Sequence, residues 1–245
     1  MAGERDQVAA ERLGAAADIE HRRCGQLGEE PARARGQALA WWVHHDDVGL
    51  GAELAADIAG VAIDVGAGEF LQVNRAQAAA MYARVAELAE AQPGMQAIDL
   101  FAGLGGIGLH LARAGASVIA VEIDRDAVAQ LRRAAQRAGL PLTAIAGDVG
   151  DIRGQLAAKP DVVVVNPPRK GLSTGARAFL AELAAPTILY VSCGPEALGR
   201  DVITLAAHGY TPDAIEPFDL MPGTSQVETV MRLRRRSRAG RPGHR

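Results

Sequence analysis

The sequence predicts an α/β protein: a doubly wound, seven-stranded, mostly parallel sheet covered by helices. Three observations predict it. From residue 95 onward, short apolar stretches alternate with amphipathic stretches of helical period. The links between them are short, as right-handed crossovers require. Some strands, Val162-Val163-Val164-Val165 above all, are apolar at every position, which suits a sheet buried on both faces.

The elements follow in order. Residues 1–40 are rich in Ala, Arg, Glu and Gly and carry no strand or hairpin pattern. Trp41-Trp42 precedes His44-His45-Asp46-Asp47, which reads as a polar loop, so no metal site is expected. Gly60 to Val73 reads as two short strand-like pieces around Gly66-Ala67-Gly68. Ala76 to Ala91 is a helix with Ala80, Met81, Val85 and Leu88 on one face, ended by Pro93-Gly94. Met95–Phe101 is a strand and Gly106–Ala114 a helix; Ser117–Ile123 is a strand and Arg125–Ala138 a helix. Thr143–Gly147 and Asp161–Val165 are strands, Gly175–Ala185 a helix, Thr187–Ser192 a strand and Glu196–Ala207 a helix. Tyr210–Phe218 and Val227–Leu233 are the last two strands, with no helix between them. This divides the chain into a short irregular N-terminal segment (1–67), a main domain (68–234) and an Arg-rich tail (235–245).

Composition narrows the function. With 245 residues, 49% apolar and 22% charged, the chain is neither wholly disordered nor fibrous. Its two cysteines, Cys24 and Cys193, exclude a disulfide scaffold, a four-cysteine zinc site and an iron–sulfur cluster held by this chain alone. They suit a reduced, cytoplasmic setting. No stretch approaches the ~20 apolar residues of a membrane helix, and residues 1–30 lack the apolar core of a signal peptide. The net charge of -3 is uneven: seven arginines and no acid lie from Arg232 onward. The other 19 bases face 29 acids, leaving -10 on the rest. A basic tail on an acidic body is compatible with nucleic-acid contact, and equally with a solubilising role.

Four constellations carry chemistry. Asp99-Leu100-Phe101-Ala102-Gly103-Leu104-Gly105-Gly106-Ile107-Gly108 sits where a strand turns into a helix. Its small residues let the backbone approach a ligand beside a helix N-terminus. Gly103, Gly105 and Gly108 match the dinucleotide fingerprint, which nicotinamide, flavin and S-adenosylmethionine enzymes share. The next strand ends at Glu122, a carboxylate placed to accept ribose hydroxyls. Asn166-Pro167-Pro168-Arg169 follows the valine strand; the prolines fix an extended turn, and the amide offers donors and an acceptor to a base edge. Cys193, in Ser192-Cys193-Gly194-Pro195, lies between a strand and a helix N-terminus, which lowers a thiol pKa; a lone cysteine is also commonly a small buried hydrophobe. Glu228 opens an otherwise apolar strand, either as a solvated edge residue or as a carboxylate placed for proton transfer.

Phe70-Leu71-Gln72-Val73-Asn74, the Asp99–Gly108 turn, Asn166-Pro167-Pro168-Arg169, Ser192-Cys193-Gly194-Pro195 and Phe218-Asp219-Leu220-Met221-Pro222 leading to Val227-Glu228 occur in that order. Together they resemble the RNA (uracil-5-)-methyltransferase family over about residues 68–234. The Asn-Pro-Pro-Arg form and Gly106 look nearest to its 23S ribosomal RNA branch. The resemblance implies a Rossmann-like, class I S-adenosylmethionine-dependent methyltransferase fold whose last two strands form an antiparallel hairpin. It implies that Gln72, Phe101, Gly103, Gly105, Glu122, Asp148 and Asn166 hold S-adenosylmethionine, and that Asn166 and Arg169 meet the substrate. It makes Cys193 the nucleophile and Glu228 the general base. Family members usually carry a longer N-terminal part, often with four cluster-binding cysteines and in some an RNA-binding barrel. Cys24 stands alone here, so no cluster is expected and the usual RNA-docking surface is in question.

The implied partner is RNA, ribosomal in preference to transfer RNA. Two alternatives remain open. An amino-group methyltransferase acting on adenine or guanine also uses an Asn-Pro-Pro turn, though an aromatic residue rather than Arg169 usually follows. A degenerate relative would bind RNA or cofactor without turnover. A nicotinamide oxidoreductase comes last.

Overall fold

The computed structural model describes residues 74–152 and 159–236, together with the backbone of two strands at 54–58 and 61–65. Those two strands, β1 (Leu54–Ile58) and β2 (Val61–Val65), pair antiparallel with Leu54 opposite Val65. The expected strand piece at Gly60 is therefore half of a hairpin whose first strand the sequence reading did not see. Gln72, Cys24, the His44–Asp47 run and residues 237–245 lie outside the described residues.

The main unit follows the expected alternation. Helix α1 (Arg75–Leu88) precedes β3 (Gln96–Leu100), α2 (Gly106–Arg113), β4 (Ser117–Glu122), α3 (Arg125–Ala138) and β5 (Leu142–Ala146). Then come β6 (Val162–Val165), α4 (Thr174–Leu183), β7 (Thr187–Ser192), α5 (Pro195–Ala207), β8 (Tyr210–Phe218) and β9 (Glu228–Arg235). Local chemistry sets several helix starts. The Asn74 side chain accepts a hydrogen bond from Gln77 N, Asp124 from the amides of Asp126 and Ala127, and Ser173 from Ala176 N.

Strands β3 to β9 form one sheet in the order β5-β4-β3-β6-β7-β9-β8. The first five are parallel; β9 runs antiparallel to both β7 and β8. Strand order reverses between β3 and β6, so their carboxyl ends open the crevice where ligands bind in such sheets. Because β9 is reversed, its first residue, Glu228, reaches the same edge as the last residues of β3, β4, β6 and β7.

Every residue of β6 is buried. Val162 and Val164 pack with the layer formed by α1, α2 and α3; Val163 and Val165 pack with α4 and α5. Strand β7 divides in the same way, with Leu189 and Val191 on one face and Ile188 and Tyr190 on the other.

The Arg-rich end is a correction. β9 runs to Arg235, and three of its arginines are structural. Arg232 donates to Asp213 at 2.8 Å and to the Leu88 carbonyl at 3.3 Å. Arg234 bonds Glu90 and Thr187, and Arg235 bonds the Ala184 carbonyl and lies over the Tyr210 ring. These side chains tie the sheet to the ends of α1 and α4 and are not free for an RNA strand. Among the described residues, no helix is long and apolar enough to cross a membrane.

Candidate active site

The glycine turn after β3 has a demanding backbone. Phe101, Gly103 and Gly105 all have positive φ, at 63°, 53° and 83°. A non-glycine residue in this region is uncommon, and such strain clusters at functional sites. Gly105 caps α2, and a Cβ there would stand 2.1 Å from a Leu131 methyl. Gly105→Ala is therefore expected to cost about 1–3 kcal/mol, from left-handed strain plus displacement of Leu131. Thermal unfolding of the variant measures it, and an unchanged midpoint would refute the assignment.

At Gly103, by contrast, a Cβ would meet nothing within 4 Å, so this part of the turn faces open space. Its amide donates to Glu122 Oε2 at 2.8 Å, while Ile123 N and Asp124 N donate to Oε1 at 2.8 and 3.0 Å. Three of the roughly four acceptor positions of the carboxylate are thus filled, leaving one on Oε2 for a ligand hydroxyl. The chain folds Glu122 back to brace the turn as well as to meet a ligand. Next to it, Ile123 is 66% exposed, an apolar side chain at the edge of the crevice. Nothing in the sequence around it marks this position. Asp148 follows β5 on the same edge; it is exposed, and its Oδ1 accepts from Gly150 N at 2.7 Å, closing its own turn.

Asn166, half-buried, directly follows β6, where its backbone N–H donates to the Leu100 carbonyl at 3.3 Å. This bond joins the Asn-Pro-Pro turn to the glycine turn across the strand-order reversal. Arg169 is exposed and its backbone runs directly against Gly194: a Cβ on Gly194 would come 2.8 Å from the Arg169 carbonyl oxygen. Gly194 therefore brings the Asn166–Arg169 segment against the Cys193 turn. The Ser192 hydroxyl accepts from Gly194 N at 3.1 Å, which holds that turn closed.

Ser192 pairs with Thr229 across β7 and β9. Cys193 and Glu228 are each one step beyond this pair, so the register sets them opposite one another. Facing positions in antiparallel strands stand about 5 Å apart. Glu228 is 7% exposed, its Oε2 has no hydrogen-bond partner among the described residues, and burial pushes its carboxyl up to about 7.

The thiol corrects the sequence expectation. Burial raises the Cys193 pKa, and the Glu228 charge raises it further; the Arg169 guanidinium and the cysteine's own amide pull down without overcoming them. Desolvation and a neighbouring acid set the direction of this thiol's shift.

Behind the glycine turn lies a buried polar group. Asp99 is 1% exposed with neither oxygen partnered among the described residues; burial, aided by the Glu122 charge, pushes it up to about 7 despite the nearby Gly108 amide. Tyr82 lies close enough to feel the charges of both Asp99 and Glu228. Its ring meets that of His110 at 5.4 Å, and His110 Nδ1 donates to the Gly106 carbonyl at 2.6 Å. These residues back the turn from α1 and α2, and no local pattern announces them.

The site thus brings together Phe101, Gly103, Gly105, Glu122, Asp148, Asn166, Arg169, Cys193 and Glu228 on one edge of the sheet. Residues 77–185 match the Methyltransferase small domain family model. An RNA methyltransferase of Clostridium tetani is 33% identical over 181 residues, covering 74% of this chain and 40% of that protein. The 23S rRNA (uracil(747)-C(5))-methyltransferase RlmC of Edwardsiella ictaluri is 34% identical over 185 residues, covering 75% of this chain and 48% of its own length. Among solved structures, the Pyrococcus abyssi tRNA (uracil-54, C5)-methyltransferase in complex with S-adenosyl-L-homocysteine aligns with a TM-score of 0.65 and 28% identity, over 74% of this chain and 44% of that one. The chain spans less than half the length of each of these relatives.

Proposed function

We propose that this chain, a member of the RNA (uracil-5-)-methyltransferase family, transfers a methyl group from S-adenosylmethionine to carbon 5 of a uridine in RNA. The observation that carries the reading is the placement of Cys193 across from Glu228, one step beyond the Ser192–Thr229 pair at the carboxyl edge of the sheet and close enough to feel its charge. An amino-group methyltransferase needs no thiol facing a carboxylate. Ribosomal RNA is the substrate class we favour, supported by the RlmC relative and by the Asn-Pro-Pro-Arg form of the turn.

The residues fit an adenosine-bearing cofactor. The open face at Gly103 leaves room for it, the free position on Glu122 Oε2 suits a ribose hydroxyl, and exposed Ile123 offers an apolar face to a purine ring. Phe101, Gly105, Asp148 and Asn166 would complete the enclosure. When bound, S-adenosylmethionine supplies an electrophilic methyl group to carbon 5.

The protein's part begins with the Cys193 thiolate. Carbon 5 of uracil is a weak nucleophile; addition of Sγ to carbon 6 pushes the ring electrons into an enolate and makes carbon 5 nucleophilic. The uridine must leave its stack to present carbon 6 to Sγ. Once carbon 5 is methylated, Glu228 removes its remaining proton, and the electrons of that C–H bond expel the thiolate. Asn166 and Arg169 would hold the base edge meanwhile.

The test uses RNA carrying 5-fluorouridine, whose fluorine cannot leave as a proton. The wild-type chain with S-adenosylmethionine is expected to form a denaturation-resistant protein–RNA adduct, and Cys193→Ala to form none. Methylation of amino groups with no adduct would replace this reading by the adenine or guanine one. Cofactor binding without turnover on any RNA would favour the degenerate one.

A further inference from the structure

The segment after Arg169 is clamped to α5. Asp201, 2% exposed, accepts hydrogen bonds from Leu172 N at 2.7 Å, Arg177 Nη1 at 2.9 Å and the Tyr190 hydroxyl at 2.6 Å. Arg177 Nη1 also donates to the Leu172 carbonyl at 2.8 Å. At the clamp the Gly171 backbone packs on side chains of α5: a Cβ on Gly171 would lie 2.7 Å from Asp201 Oδ2 and 3.1 Å from the Ala197 Cβ. The residues immediately before these contact points, Lys170 and Arg200, are both exposed. Neither side chain forms an ion pair or hydrogen bond among the described residues, whereas those of Arg84, Arg177, Arg232 and Arg234 all do. With exposed Arg169 against Gly194, three exposed bases lie on the two segments that flank the Cys193 turn, the one after Arg169 and α5.

We propose that Lys170 and Arg200, set side by side by the Asp201 clamp, form a phosphate-contact surface for the RNA strand that presents its base to Cys193. The proposal rests on the RNA reading above and adds to it where the backbone lies. A flexible strand with one base turned into the crevice must run its phosphates along the crevice rim. Buried hydrogen bonds hold the backbone beneath this pair of bases in place, so meeting those phosphates requires little ordering. The strand-borne arginines Arg232, Arg234 and Arg235 are occupied with protein partners and cannot serve this role.

The test measures binding of the full chain to single-stranded oligouridylate across a potassium chloride series. Each lost phosphate contact lowers the slope of log affinity against log salt by about 0.7 on a single strand. The double variant Lys170→Gln/Arg200→Gln is expected to reduce the slope by about 1.4. Arg113→Gln, at the opposite end of the sheet, is expected to leave it unchanged. Titration with S-adenosylhomocysteine checks that the variants keep their fold and crevice. An unchanged slope in the double variant, or an equal loss in Arg113→Gln, overturns the surface. Absence of salt-dependent binding by the wild type overturns it as well, while the 5-fluorouridine adduct reports independently on the Cys193 reading. Deletion of residues 237–245, which leaves β9 whole, reads the tail's share; a loss confined to that deletion would move the RNA contact to the tail and sink the proposal.

Discussion

Glu228→Gln is expected to slow turnover by about 10²–10⁴-fold and to accumulate the covalent, methylated Cys193 adduct on ordinary uridine RNA. The thiol that adds is untouched, while the group that removes the carbon 5 proton can no longer accept it. Quenched reactions resolved by denaturing electrophoresis would show the adduct without fluorine in the base. Loss of turnover with no adduct would mean that Glu228 acts before addition, and would remove it from the proton-abstraction step.

The same variant carries a stability consequence with a definite sign. Burial raises the Glu228 carboxyl to about 7 in the folded chain, above the ordinary carboxylate value that the unfolded chain keeps. Between these values the folded state holds the extra proton, so stability falls as pH rises from about 4.5 to 7 and then levels. Asp99 acts in the same direction. Glu228→Gln removes one contribution, so the variant is expected to unfold at higher temperature than wild type at pH 8, with the gap closing towards pH 4.5. A gap that widened on acidification would contradict the burial account. Turnover has the opposite trend: an ionised Glu228 and a Cys193 thiolate are both needed, and both pKa values are raised, so activity is expected to climb through pH 7 into the alkaline range.

Asp201→Ala is expected to destabilise the chain by about 3–5 kcal/mol, the largest stability effect we foresee. It strands the Leu172 amide and the Tyr190 hydroxyl without a buried acceptor and leaves Arg177 without its ion-pair partner. In a domain of this size that corresponds to a fall of about 10 °C in melting temperature. Tyr190→Phe, which removes one bond and leaves the loop contact in place, is expected to cost about 1 kcal/mol. Equal melting temperatures for the two variants would mean that the clamp does not hold the Lys170–Ser173 turn.

Most of the architecture could be read directly from the residues. Helix period, apolar strands and short links give the order of elements from α1 to β9, and the glycine turn, Asn166, Cys193 and Glu228 could all be singled out by position at element ends. Boundaries moved by one to three residues because capping settles helix ends. The hairpin β1–β2 escaped because only one of its strands could be picked out. Arg232, Arg234 and Arg235 count towards a basic C-terminal end because charge runs are read along the chain, whereas the partners of Arg232 and Arg234, Asp213, Glu90 and Thr187, lie on other strands and a helix end.

What the sequence by itself determined is therefore the sheet, its burial on both faces and the residue types at its carboxyl edge, since these follow from periodicity and from chemistry within a few neighbouring residues. What only the tertiary structure decided is how those residues behave together. The raised Cys193 thiol depends on burial and on Glu228 reaching it through the β7–β9 register. Glu122's fixed orientation depends on amides from two separate segments. The clamp at Asp201 joins residues 29 positions apart to hold the turn that follows Arg169. Desolvation and charge–charge coupling are properties of the packed volume around a group, and a linear pattern does not contain that volume.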